Sequence, residues 1–150
     1  MYAHSSTETN TGILVCGGRS ISGYRDDCYE YRASGNSWVR MPSMTKERAY
    51  FDMLYLKGKV YAVGGRSGSS RYLNSMDIFD ATSRTWTQQS IPFSVIVHCV
   101  TQLSADQLIL IGGQGSNGVS KNVISKKYFN PTILFNCISL SKVFFTNYLF

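Results

Sequence analysis

The sequence predicts an all-β chain built from a repeated four-stranded unit, and three observations carry that prediction. Diglycines occur at Gly17-Gly18, Gly64-Gly65 and Gly112-Gly113, spaced 47 and 48 residues apart. The only two tryptophans, Trp38 and Trp86, are also 48 residues apart. Each diglycine closes a short apolar run: Ile13-Leu14-Val15-Cys16, Val60-Tyr61-Ala62-Val63 and Leu108-Ile109-Leu110-Ile111. With 13 glycines in 150 residues, chance supplies on the order of one adjacent pair, so three pairs at near-equal spacing mark an internal repeat.

The apolar runs are short and rich in β-branched residues, which reads as strands covered on both faces. After each diglycine comes a polar loop and then an aromatic segment, Tyr29-Glu30-Tyr31 in the first unit and Asp77-Ile78-Phe79-Asp80 in the second. The tryptophan follows seven residues beyond Tyr31 and seven beyond Phe79, across the turn-like Ala33-Ser34-Gly35-Asn36 and Ala81-Thr82-Ser83-Arg84. Each aromatic segment and its tryptophan therefore form a hairpin. Phe51–Leu56 reads as a further strand, turned at Lys57-Gly58-Lys59 into the next diglycine strand, and Cys99–Leu103 with the turn at Ser104-Ala105-Asp106-Gln107 repeats the arrangement.

Four strands per 48 residues joined by tight turns describe a propeller blade. The apolar strand ending in Gly-Gly, the aromatic before an acid or small residue, and the Trp after a short turn resemble the Kelch repeat. The resemblance covers Ile13 to about Pro131. In the third unit Tyr128-Phe129-Asn130-Pro131 resembles the aromatic hairpin, while Asn136 stands where the Trp belongs. The expected fold is a partial Kelch-type β-propeller of two to three four-stranded blades. A polar leader is expected at 1–12, the repeats at 13–131 and an irregular tail at 132–150. Gly17, Gly18, Tyr31, Trp38, Gly64, Gly65, Phe79, Trp86, Gly112 and Gly113 are the expected structural repeat positions. The glycines would turn the backbone through φ values that a Cβ disfavours, and the tryptophans would fill the space between blades. Open blade faces imply further blades outside this chain, or pairing with other copies.

Composition excludes several function classes. The formal charge is +6, and Lys121, Lys126, Lys127 and Lys142 supply four of the fifteen cations, so no clustered basic stripe for nucleic acid exists. Met1 to Gly12 has no apolar core and is no signal peptide. Ile133–Phe150 is interrupted by Asn136, Lys142 and Asn147, short of the run of about 18 apolar residues a membrane helix requires. Cys16, Cys28, Cys99 and Cys137 read as buried thiols of a cytoplasmic or nuclear protein, the alternative being a disulfide pair in a secreted one. His4 and His98 are the only histidines, and His98-Cys99 on a strand point to opposite faces, so no metal site or cofactor is expected. Asp26-Asp27 reads as a solvated turn pair rather than an acid–base couple.

The resemblance implies binding rather than catalysis. In Kelch propellers the loops after the diglycines recognise partner peptides, which here places Arg19, Ser20, Tyr24 and Arg25 in the first unit. Arg66, Ser69, Ser70, Arg71 and Tyr72 follow in the second unit, and Gln114, Ser116 and Asn117 in the third. Arg19 and Arg66 each directly follow a diglycine, and each loop ends with an Arg beside a Tyr. These residue types concentrate binding energy, and guanidinium suits a carboxylate or phosphate partner. The expected partner is an acidic protein or peptide. The resemblance to kelch-like proteins further implies the substrate-recognition part of a cullin-based ubiquitin ligase adaptor. Actin binding, or less readily a copper oxidase of the galactose-oxidase-like class, is the alternative.

Overall fold

The computed structural model describes residues 1–105 and 107–115 in full and, beyond them, the strand backbone at 118–119, 122–129 and 132–139. In chain order the strands are β1 (Ser5–Glu8), β2 (Ile13–Cys16), β3 (Arg19–Ser20), β4 (Gly23–Tyr24), β5 (Cys28–Arg32), β6 (Ser37–Met41), β7 (Asp52–Leu56) and β8 (Lys59–Val63). They continue as β9 (Ser75–Asp80), β10 (Thr85–Ser90), β11 (Cys99–Ser104), β12 (Gln107–Ile111), β13 (Gln114–Gly115), β14 (Gly118–Val119), β15 (Asn122–Phe129) and β16 (Thr132–Ser139). Three antiparallel four-stranded sheets result, β1-β2-β5-β6, β7-β8-β9-β10 and β11-β12-β15-β16, with β3-β4 and β13-β14 as two-residue hairpins. The only helical turn among the described residues is a 3-10 turn at Ala33–Gly35. The expected all-β, four-stranded organisation is what the chain adopts.

The polar leader is corrected. Ser5–Glu8 is the innermost strand of the first sheet, pairing Ser5 with Cys16 and Glu8 with Ile13. Its polarity has a physical reason. Strands β1, β7 and β11 lie side by side across the sheets, so each inner edge must satisfy the exposed N–H groups of the next. Ser5 Oγ accepts from Met53 N at 3.1 Å, and Thr7 Oγ1 accepts from Tyr55 N at 3.1 Å. Asp52, the counterpart of Ser5 one unit on, accepts from Val100 N at 2.7 Å. On β1 the side chains that reach the next sheet are the hydroxyls of Ser5 and Thr7, which is why the strand reads as polar.

The boundary at residue 131 is corrected too, because Thr132–Ser139 extends the third sheet as its outer strand. Lys126 stands opposite Phe135 there, in the register in which Phe79 faces Trp86, so Phe135 rather than Asn136 falls at the tryptophan position. The aromatic hairpin expected at Tyr128–Pro131 is longer than its counterparts, which displaced the count. Residues 140–150 of the expected tail lie outside the described residues.

Two apolar clusters fill the spaces between sheets. Leu14, Cys16, Cys28, Met41, Met44, Phe51, Met53, Val60, Ala62 and Phe79 join the first sheet to the second. Leu56, Tyr61, Val63, Met76, Ile91, Val95, Val100, Leu108 and Leu110 join the second to the third. Strand β8 serves both, since alternate side chains face opposite ways: Val60 and Ala62 into one cluster, Tyr61 and Val63 into the other. Only the middle sheet has its diglycine strand buried on both faces. Ile13 on the first and Ile111 on the third are 46% and 41% exposed. The cysteine expectation is also corrected in part. Cys16 and Cys28 are buried as expected, but they stand directly opposite on β2 and β5 and form a disulfide. The intervening loop folds back as the β3-β4 hairpin, which the spacing alone does not reveal.

The diglycines tie each sheet to the loop that enters the next. All six adopt positive φ, between 61° and 103°. Gly18 N donates to Arg48 O and Gly65 N to Val95 O, both at 2.7 Å. A Cβ on Gly17 or Gly64 would stand 2.5 Å from those same carbonyl oxygens, so the approach admits no side chain. Trp86 fills the expected place between sheets, its Nε1 donating to Pro42 O at 2.9 Å and its ring lying 5.1 Å from that of Phe79. Trp38, expected to do likewise, is 60% exposed and packs only on Tyr31, because no sheet of the described structure covers that face.

A buried ion pair completes the first junction. Arg48 and Asp77 are both fully buried and meet at 2.7 Å. Arg48 also donates to Gly64 O, Ser75 O and Ser75 Oγ, while Asp77 accepts from Thr45 N, Thr45 Oγ1, Lys46 N and Gln88 Nε2. Such a pair repays its desolvation only when the remaining donors and acceptors are met, as most are here. Asp77→Ala is expected to cost about 3–5 kcal/mol by stranding the guanidinium, whereas the double replacement Arg48→Met with Asp77→Leu costs much less. Urea unfolding of the three proteins checks this, and a single replacement no worse than the double would refute it.

His98 occupies the slot at the second junction that Phe51 fills at the first, against Gly64 where Phe51 lies against Gly17. Both ring nitrogens are buried without a hydrogen bond. Burial lowers the imidazole pKa to about 4 from its usual 6.5, outweighing the nearby Asp52 carboxylate and the Val63 backbone, which both act to raise it. The unfolded chain takes up a proton below about pH 6.5 that the folded chain refuses until about pH 4. Stability should therefore fall by about 3 kcal/mol as pH drops through that window and level off below it. Melting temperatures measured from pH 7 to pH 4 should show this dependence, and His98→Phe should flatten it.

Candidate protein-interaction face

The three diglycines open at the same end of their sheets, and the residue after each is held in the same way. Isolated bridges pair Arg19 with Tyr2, Arg66 with Ala49 and Gln114 with Ile96. In each case both backbone N–H groups donate across the bridge, at 2.7–3.0 Å. Positions 19, 66 and 114 are thus equivalent, as their spacing implies. The side chains at this height are two arginines and one glutamine.

The flanking loops differ in build. In the first unit Arg19 pairs with Tyr24 across β3-β4, and its guanidinium lies over the Tyr24 ring, 5.1 Å from the centroid. Arg25, expected to partner Tyr24, instead makes a two-pronged contact with Asp27, Nε to Oδ1 and a terminal nitrogen to Oδ2, each at 2.9 Å. That contact holds the Asp27 carboxyl below its usual range. Ser20 Oγ is engaged with Ser22 and with Gly23 O inside the hairpin.

In the second unit Arg71 lies over the Tyr72 ring at 5.6 Å, so here the arginine–tyrosine pair is formed by sequence neighbours. Ser70 bonds to Ser67 Oγ and Tyr72 O, and Ser69 Oγ lies 3.2 Å from Ser67 Oγ, so these serines shape their own loop. Glu47, which sequence reasoning did not single out, accepts from Gly68 N at 2.7 Å and so fixes the second loop beside the first. Its position in Lys46-Glu47-Arg48 reads as an ordinary charged turn, and no spacing marks it. Ser116 and Asn117 lie outside the described residues.

Chemically this face offers guanidinium groups that are supported by tyrosine rings yet retain free donors, Arg19 and Arg71, with Arg66 between them in sequence. Stacking fixes a guanidinium plane without consuming its N–H groups. Among the described residues no group of three or more His, Cys, Asp or Glu side chains is placed to hold a metal ion. No helix among them is long and apolar enough to cross a membrane.

Comparison with known proteins agrees with this architecture. Residues 47–91 match the Kelch motif. Mouse Kelch-like protein 35 is 31% identical over 127 residues, 85% of this chain and 21% of the relative. Human Kelch-like protein 24 is 42% identical over 71 residues, 47% of this chain and 11% of the relative. The chain therefore spans about a fifth or less of the length of these relatives. The solved structure of YjhT superposes with a TM-score of 0.78 at 15% identity, over 91% of this chain and 51% of that one, a likeness of fold. The diglycine junctions, the interleaved tryptophan and these similarities together make the chain a member of the Kelch-repeat β-propeller family.

Proposed function

We propose that this chain is a protein-interaction module whose diglycine end binds an acidic or phosphorylated peptide through Arg19, Arg66 and Arg71. The observation that carries the reading is the equivalent bridging of positions 19, 66 and 114, which sets the side chains of neighbouring sheets at one height. Tyr24 and Tyr72 widen the contact, each lying under a guanidinium. Gln114 gives the third sheet a neutral hydrogen-bonding group, which directs the partner's charge toward the first two. Arg25 contributes less, because Asp27 already neutralises it. Similarity to Kelch-like proteins supports a finer proposal: the chain is the substrate-recognition part of a cullin-based ubiquitin ligase adaptor, working in the cytoplasm or nucleus.

An array of acidic and phosphorylated peptides supplies the probe, and titration of the best binder tests the assignment. Arg19→Ala and Arg66→Ala should each weaken binding by about 1.5–3 kcal/mol, the range for hydrogen bonds to charged groups. Arg25→Ala should weaken it by less, and Lys57→Ala, in the turn at the opposite end of the sheet, should leave affinity unchanged. Equal losses at all four positions would reduce the effect to general charge attraction, which fades with salt, and would sink the site.

A further inference from the structure

Arg19 is the middle residue of a lateral row. Tyr2 and Arg19 exchange both backbone N–H groups as a directly opposed pair, and Arg19 stands opposite Tyr24 in turn. Directly opposed residues of antiparallel strands project from one face, so all three side chains start on the same side of the backbone. They do not stay together. The Arg19 guanidinium lies over the Tyr24 ring, 5.1 Å from its centroid, while the Tyr2 ring leans the other way and meets Tyr50 edge-on at 6.4 Å. Tyr2 and Arg19 thus splay apart from adjacent positions. The slot between them has an aromatic ring on one wall and a guanidinium on the other.

Both walls are held. Tyr50 N donates to Ala3 O at 3.0 Å, joining the segments that carry the two rings. Ala3 and Tyr50 each have a φ of 56°, a conformation uncommon in residues with a Cβ and kept only where the surroundings enforce it. On the other side, stacking on Tyr24 and the disulfide at the foot of the loop restrain Arg19. The slot is open to solvent, with Tyr2 50% exposed and Arg19 and Tyr24 half-buried. It is also confined to the first unit. The place of Tyr2 is taken by the fully buried Ala49 opposite Arg66, and by Ile96 opposite Gln114.

An occupant has two walls to satisfy. A carboxylate or a phosphoserine meets Arg19 but leaves the Tyr2 ring wet, and a plain apolar side chain covers Tyr2 but leaves the guanidinium unanswered. An aromatic ring with an oxyanion at its far edge does both. Paired residues that exchange both N–H groups have Cα atoms about 5.5 Å apart, a spacing that a tyrosine ester bridges from its ring to its terminal oxygens. Guanidinium takes such oxygens two at a time, and ring packs against ring edge-on or offset.

Resting on the reading of this face as an anion-binding site, we propose that the Tyr2–Arg19 slot takes a phosphorylated or sulfated tyrosine, its ring against Tyr2 and Tyr50 and its oxyanion on Arg19. Selection for an anion carried on an aromatic ring then belongs to the first loop, whereas Arg66, with no ring opposite it, reads charge alone.

The best-binding peptide of the array is remade with phosphotyrosine, sulfotyrosine, phosphoserine, glutamate or unmodified tyrosine at each anionic position in turn, and titrated against the full chain by fluorescence anisotropy. At one position a tyrosine ester should bind several-fold tighter than phosphoserine, glutamate and unmodified tyrosine, the tighter of the two esters identifying the source of the anion. Tyr2→Ala should bring that ester down to the level of phosphoserine, and Tyr2→Phe should keep the preference, since the ring alone is needed. Equal affinity for ester and phosphoserine, or a preference that survives Tyr2→Ala, would overturn the slot and leave the anion-binding face standing. Indifference of every peptide to Arg19→Ala would overturn both.

Discussion

The close approach of each diglycine to the loop entering the next sheet is the constraint on which the rest depends. Gly18 and Gly65 donate to the carbonyls of Arg48 and Val95 at 2.7 Å, where a side chain on the preceding glycine would collide. Once that distance is set, the inner strands fall within reach of one another and their hydroxyls and carboxylate bridge the gap. The apolar clusters then close between sheets, not within them, so no sheet owns a core of its own. Stability in such an arrangement is mostly a property of junctions, as expected where each repeat touches only its neighbours.

The parts of this design that recur at fixed spacing were legible in the sequence. Three diglycines and two tryptophans fixed the period, the strand count and the end of the sheet that carries the loops. What escaped had no periodic mark. Ser5–Glu8 looks like solvent-loving leader because the residues that bridge it to the next sheet are the hydroxyls of Ser5 and Thr7 rather than apolar side chains. Arg48 and Asp77, 29 residues apart in the chain, look like two ordinary surface charges until a junction buries both. Cys16 and Cys28 face one another only because the loop between them folds back on itself. The site was read at the same resolution: equivalence of Arg19 and Arg66 followed from spacing, but which tyrosine supports which arginine did not, since stacking crosses a hairpin in one loop and joins neighbours in the other.

The two junctions also show how a repeat fold varies its sequence without losing its geometry. His98 takes the slot of Phe51, and Val95 with the Ile124 position takes the place of Arg48 with Asp77. The first exchange is tolerated while the imidazole stays neutral, since a flat uncharged ring fills the space beside the glycine. The second works because both partners change, and changing one alone would leave a buried charge unanswered. Junctions of different chemistry can therefore lie side by side in one chain.

Arginine makes the division of labour plain. Arg48 sits eighteen residues before Arg66 and twenty-nine after Arg19, on the same side of the sheets, yet its fate is opposite. Its guanidinium is fully buried against carbonyls and Asp77, where every donor spent on the fold is lost to a partner. Arg19 stands one residue past the diglycine, beyond the junction, with its backbone fixed by Tyr2 and its side chain resting on Tyr24. The diglycine thus separates two environments within a few residues of chain: a dry junction, where charge must be paired, and a wet rim, where it remains free to meet something else. Because the rim residues take no part in the clusters, their side chains can change with the partner while the junctions hold the frame, which is the physical reason such a scaffold serves recognition.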